Sequence, residues 1–132
     1  MTPDGMTVLE SCYGPAETGD RLTATIAAHG ISLLARIDHA SAAMKVGLEL
    51  PPTEVFVFGN PRSGTPLMQA AQTVGIDLPL KALVWQDAAG KTWLGYNRPD
   101  WILARHGVTG QVTTSMQAAL ETVAAAATGA KP

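Results

Sequence analysis

Glu54-Val55-Phe56-Val57-Phe58 is the segment that constrains this chain most, because β-branched and aromatic residues follow one another without a breaker. Such a run favours a packed, pleated strand over a helix. It leads straight into Gly59-Asn60-Pro61-Arg62-Ser63-Gly64-Thr65-Pro66, a stretch of turn formers, and then into the helix-forming run Leu67 to Val74. Thr65 as cap with Pro66 at the first helical position predicts the start of that helix, and Gly75 predicts its stop. A strand that feeds a helix in this way needs further strands beside it and a layer above it, so the chain is expected to fold as mixed α and β.

The flanking segments supply those partners. Thr7 to Cys12 reads as an entering strand ended by Gly14-Pro15, and Thr18 or Asp20 caps a helix that carries Leu22 and Ile26 on one face and exits at Gly30. Ile31 to Asp38 alternates, with Leu33, Ala35 and Ile37 on one face and Leu34, Arg36 and Asp38 on the other. A short Ala-rich helix begins near Asp38 or Ser41 and closes at Gly47, before Pro51-Pro52. Leu80 to Gln86 and Lys91 to Tyr96 alternate around Asp87-Ala88-Ala89-Gly90, which predicts a hairpin. Asp100 to His106 forms a short helix, and a C-terminal helix spans about 115–127. The order is βαβ, a short helix, βα, ββ and two helices. The expected fold is therefore α+β, a two-layer sandwich of a mainly antiparallel sheet with helices on one face.

A length of 132 residues, 46% hydrophobic and 15% charged, suits a single domain over 1–132 and argues against a disordered tail. The net charge of -2 leaves no basic field for nucleic acid or anionic lipid. The opening MTPDGMTVLES has no basic region followed by an apolar run, and no stretch reads as a membrane span, so no membrane partner and a cytoplasmic location are expected. Cys12 is the only cysteine, which excludes an intrachain disulfide and a multi-cysteine metal site. Its place in a strand suggests a buried small hydrophobe. No two of the three histidines have the i, i+4 spacing of a zinc pair, and neither a metal nor a cofactor is expected.

Three groups of residues invite a functional reading. The turn from Asn60 to Thr65 offers glycines and the free N–H groups of a helix start, a natural nest for an anion, with Arg62, Ser63 and Thr65 as added donors. Neither a P-loop lysine nor a GxGxxG pattern is present, and the bland reading is a strand-to-helix junction. Asp38-His39 follows a strand end, where His39 either caps a turn or serves acid–base chemistry. Lys81 and Tyr96 sit on adjacent strands, and with His39 they would suit a carboxylate or enolate if the strands brought them to one face; otherwise they are a solubilising lysine and a packed tyrosine. Trp85 and Trp93 flank the hairpin turn, and the sheet face they share is either core or a patch that a second copy covers.

FGNPRSGTPLMQ, Phe58 to Gln69, resembles the family catalogued as domain of unknown function 302. The likeness extends to Ile37-Asp38-His39, Lys45 to Leu50 with Pro52-Thr53, Asp77-Leu78-Pro79-Leu80-Lys81, Val84-Trp85-Gln86-Asp87, and Tyr96-Asn97 with Pro99, covering a core of about 7–108. Gln86 and Arg98 stand where the family commonly has acidic residues, which weakens any carboxylate role at either point. The resemblance implies a compact α+β fold similar to the TATA-binding-protein-like arrangement, a homodimer, and no established reaction. Such a topology does not import DNA binding. The expected function is thus a small-molecule or anion-binding module, working as a homodimer, with Asn60, Arg62, Ser63, Gly64, Thr65, His39, Lys81 and Tyr96 around the ligand. The alternatives are a structural or protein-interaction domain without a ligand, and an acid–base enzyme acting on a small acid through His39, Lys81 and Tyr96. Cys12 and His39 lack sequence partners for a covalent triad, so the balance is against an enzyme.

Overall fold

In the computed structural model, which describes residues 2–108 and 114–130, five strands form one antiparallel sheet in the order β1-β5-β4-β3-β2. The strands are β1 (Met6–Glu10), β2 (Ser32–Asp38), β3 (Thr53–Gly59), β4 (Leu80–Gln86) and β5 (Thr92–Asn97). The helices are α1 (Pro15–Ala28), α2 (His39–Lys45), α3 (Pro61–Ala70), α4 (Pro99–Arg105) and α5 (Thr114–Thr128), with a 3-10 turn at Gln72–Ile76. After β1 the chain crosses through α1 to the far edge, and β2 to β5 then return as a meander until β5 pairs with β1. The α+β class and the antiparallel sheet agree with the sequence.

One face of the sheet carries the core. Phe56 and Phe58 of β3, Leu80, Ala82 and Val84 of β4, and Leu94 and Tyr96 of β5 are buried there beneath Leu22 and Ile26 of α1 and Leu120, Val123, Ala124 and Ala127 of α5. α1 and α5 also pack on each other. The period-two reading of the β4–β5 hairpin holds in full, because Thr92, Leu94 and Tyr96 are buried with Leu80, Ala82 and Val84. Asp87 shapes its turn: Oδ1 accepts the Ala89 and Lys91 amides, and Oδ2 accepts Trp93 Nε1 at 2.8 Å. Among the described residues no helix lies on the opposite face, and Val55, Val57, Leu83, Trp85 and Trp93 are only partly buried there.

Four expectations about local structure are corrected. The alternation in β2 breaks, because Leu33 pairs with Phe58 while Ala35 pairs with Val57, leaving Leu34 as a bulge. A bulged residue shifts everything after it to the other face. Leu33 and Arg36 therefore lie on the helix-covered side, and Ala35 and Ile37 on the open side. α1 starts at Pro15 with Gly14 as N-cap, not at Thr18 or Asp20. Thr18 is buried inside the helix, where its hydroxyl bonds the Gly14 carbonyl at 2.8 Å and Ser11 Oγ at 2.6 Å. Cys12 is exposed, because β1 ends at Glu10 and the thiol falls beyond the sheet.

The fourth correction concerns α3. Asn60-Pro61 supplies its own start signal, five residues before Thr65-Pro66: the Asn60 side chain accepts the Arg62 amide at 3.0 Å and Pro61 occupies the first turn. Pro66 then lies within the helix, and the helix ends at Ala70, ahead of Gly75. α2 starts as expected, with Asp38 Oδ1 accepting the Ser41 amide at 2.9 Å.

Candidate functional site

The start of α3 decides what the loop can bind. Pro61 has no N–H, Asn60 Oδ1 takes the Arg62 amide, and the Asn60 carbonyl accepts both Ser63 N at 3.0 Å and Gly64 N at 2.9 Å. With Gly64 and Thr65 inside the helix, the amides expected to cradle an anion are already engaged in holding the first turn together. Arg62 is exposed and is not among the residues that line the cleft built by this segment. The anion nest proposed for Asn60 to Thr65 therefore loses both its backbone donors and its cation.

What the same segment builds is a cleft of about 500 Å³ among the described residues. Asn60, Pro61, Ser63, Gly64 and Thr65 form one wall with Met68, one or two turns further along α3. The start of β2 and the end of α1 contribute His29, Ile31, Ser32 and Leu34. Phe58 and Gly59 of β3 and Leu78, Pro79 and Leu80 form the floor, and Ser115, Met116, Ala119 and Leu120 of α5 close the far side. The volume falls within the range of small-molecule sites, and the walls are mainly apolar with hydroxyl and amide groups set among them. Phe58 and Leu67 are buried in the core as a plain junction requires, yet Met68 stays half-buried beside open space. His29, Ser32, Leu34, Met116 and Ala119 were not singled out in the sequence. They come together only through tertiary packing, and the bulge at Leu34 is the one local irregularity that could have marked them.

His39, Lys81 and Tyr96 are not gathered. Lys81 pairs with Val57 and is exposed on the open face, whereas Tyr96 pairs with Ala82 and is 3% exposed on the helix-covered face. Opposite faces follow from odd and even positions across two paired strands. Burial pushes the Tyr96 phenol above its ordinary value, which suits a packed side chain. His39 begins α2 at the end of the sheet where Asp38 pairs with Glu54, while the cleft lies where Ser32 pairs with Gly59. At roughly 3.3 Å per strand residue, most of a strand length separates His39 from the cleft. The acid–base cluster fails on this geometry.

A different polar cluster joins the 3-10 turn to the end of α4. His106 Nδ1 lies 2.8 Å from Thr73 Oγ1, His106 Nε2 lies 2.5 Å from Asp77 Oδ2, and Arg105 Nη1 donates to both Asp77 oxygens at 2.9 and 2.8 Å. The hydrogen bond to His106, then the charge of Arg105, hold the Asp77 carboxyl below the usual carboxylate range against an opposing push from partial burial. None of its four residues lines the cleft, and its geometry is that of a clasp between two short elements. Among the described residues no group of three or more His, Cys, Asp or Glu side chains is placed to hold a metal ion.

The family model described as domain of unknown function DUF302 matches residues 7–126. The chain belongs to this family. The match takes in the cleft, including its α5 wall, so the family region extends past the core of about 7–108 outlined by sequence motifs. The crystal structure titled uncharacterized conserved protein DUF302 from Bacillus stearothermophilus superposes with a TM-score of 0.78, covering 97% of this chain and 98% of that one at 21% identity. That likeness establishes the shared fold. Two curated relatives are named fluoride-specific ion channel FluC 1, from Brucella suis biovar 1 (strain 1330) and Brucella abortus biovar 1 (strain 9-941). Each is 45% identical over 104 residues, which is 79% of this DUF302 chain but only 41% and 38% of the relatives. The chain thus spans less than half the length of the curated relatives it matches.

Proposed function

We propose that this chain is a small-molecule-binding module whose ligand occupies the cleft between α3, α5 and the start of β2. The observation that carries this reading is the cleft itself: about 500 Å³ with apolar walls, placed on the segment most rich in family motifs. Met68 on α3 and Met116 on α5 face it from two elements, and unbranched thioether side chains adapt to ligands of different outline. The role is binding rather than turnover, since neither His39, Lys81 nor Tyr96 lines the site.

The names of the longer relatives concern whole chains. No described helix here is long and apolar enough to cross a membrane, so the reading leaves ion conduction to the remainder of those chains and gives the shared segment a binding role. The TATA-binding-protein-like arrangement that the resemblance implies would add no nucleic-acid role to a chain with a net charge of -2.

Ala119 lies on the α5 wall and is only partly buried, so Ala119→Phe fills the cleft with little demand on the core. Binding of Nile red, followed by fluorescence, should be saturable in the natural chain and lost in Ala119→Phe. Equal binding by both proteins places the dye elsewhere and removes the reading. A second reading, self-association, is favoured by a separate observation: the apolar sheet face that no described helix covers, with the exposed Met44 of α2 and Val46, Leu48 and Leu50 beyond it.

A further inference from the structure

The chemistry of the cleft wall narrows the ligand class. Among the described residues no Lys, Arg, Asp or Glu side chain lines the cleft, and the groups that do line it besides apolar ones are Ser32, Asn60, Ser63, Thr65, Ser115 and His29. A carboxylate or ammonium moved from water into such a site finds no opposite charge, and an unpaired charge in apolar surroundings is far costlier than an unpaired hydroxyl. The first amides of α3 offer no substitute, because they are held by Asn60. His29 adds a direction. Its Nδ1 lies 2.9 Å from the Thr25 carbonyl, which can only accept, so Nδ1 carries the hydrogen and neutral His29 keeps Nε2 as an acceptor. That nitrogen has no protein partner among the described residues, and the hydroxyls of Ser32 and Ser63, which line the same cleft, can serve as donor or acceptor.

We infer that the natural ligand is an uncharged, largely apolar molecule bearing a hydroxyl group, an alcohol or a phenol, whose hydroxyl is satisfied at the polar rim formed by His29, Ser32 and Ser63. This rests on the cleft being the binding site. The apolar part lies against Leu34, Met68 and Met116, and the single polar group fixes its orientation, as is usual where few polar groups stand in an apolar pocket. A site equipped to bond a hydroxyl discriminates against an analogue that lacks it.

A matched pair of ligands separates the outcomes. n-Octanol and octanoate have the same chain length, and at neutral pH the acid is ionised. Their displacement of Nile red is measured on the natural chain, on Ala119→Phe and on His29→Phe. The alcohol is expected to bind more tightly than the carboxylate by at least about tenfold, with His29→Phe reducing that preference and Ala119→Phe abolishing both. A carboxylate bound as tightly as the alcohol, and still blocked by Ala119→Phe, overturns the uncharged-ligand inference and leaves the cleft as the site. Failure of both compounds, or displacement that Ala119→Phe does not alter, overturns the cleft and the inference together.

Discussion

Arg36 holds its guanidinium 4.8 Å from the centroid of the Phe56 ring, on the face of the sheet that the helices cover. The bulge at Leu34 puts it there, and the residues around it accept the charge: Nε donates to Glu54 Oε2 at 2.7 Å and Nη1 to Asp20 Oδ1 of α1 at 3.2 Å. The Glu54 hydrogen bond raises the Arg36 pKa above its ordinary value despite some burial. Arg36 thus closes the edge of the core where α1 crosses β2 and β3. Arg36→Ala is expected to cost about 1–2 kcal/mol, more than a surface ion pair alone, because the ring of Phe56 loses its cover. Arg36→Met should recover part of that loss in urea denaturation. Equal loss in both variants contradicts the packing role.

Two helical glycines should respond with opposite signs to the same substitution. A Cβ at Gly19 meets Phe56 Cζ and Arg36 Nη2, each at 2.9 Å, because α1 crosses the sheet at this point. The arginine head moves cheaply, but Phe56 is fully buried and does not. At Gly64 the nearest atom to a Cβ is Leu78 Cδ1 at 3.5 Å, an ordinary contact. Gly19→Ala is expected to destabilise by about 1 kcal/mol after its gain in helix propensity, and Gly64→Ala to stabilise by roughly 0.5–1 kcal/mol. Urea midpoints at constant m-value check both.

The hairpin was legible because nothing interrupts its period of two, which separates Leu80, Ala82 and Val84 from Lys81, Leu83 and Trp85 by counting. Which face is buried, and that Lys81 and Tyr96 fall on opposite faces, depends on the cross-strand register that sets Ala82 opposite Tyr96. Counting fails in β2, since a single bulged residue reverses every assignment after it and leaves no composition signal at Leu34. At the start of α3 two cap-and-proline signals compete, Asn60-Pro61 and Thr65-Pro66. The earlier one prevails, and Pro66 is carried within the helix. That five-residue difference converts an apparent anion loop into the wall of an apolar cleft. Half of that cleft comes from α1, β2 and α5, whose approach depends on the core and not on any local pattern.

The Asp77 clasp predicts the acid limb of stability. Its carboxyl is lowered in the folded chain, whereas in the unfolded chain it titrates near about 3.9. The folded state therefore gains stability above that value, and the gain is lost as pH falls through the depressed folded pKa. Asp77→Asn should reduce stability by about 1 kcal/mol at neutral pH, a modest figure because Arg105 is half exposed. The deficit should shrink in acid. Melting temperatures of both proteins across that range test it, and a deficit that stays constant assigns the loss to packing instead of charge.

The open sheet face carries the last prediction. Trp85 and Trp93 are directly opposite each other on β4 and β5, and the Trp85 ring lies against Gly95, where a Cβ would stand 3.1 Å from Trp85 Cζ3. The two tryptophans share this face with Leu83, Val55 and Val57, an apolar patch that no described helix covers and that the exposed Lys81 opposite Val57 bounds. Ile37, on the same face, is 45% exposed, and Met44 of α2 and Val46, Leu48 and Leu50 beyond it are exposed. Contiguous apolar area of this kind is uncommon on a monomer, and a two-fold pair buries it symmetrically. The natural chain is expected to sediment as a dimer at micromolar concentration. Leu83→Glu places an unpaired carboxylate at the centre of the face, and the variant should sediment as a monomer with unchanged circular dichroism. A monomer mass for the natural chain rules out this association, and a dimer that survives Leu83→Glu moves the interface away from the sheet.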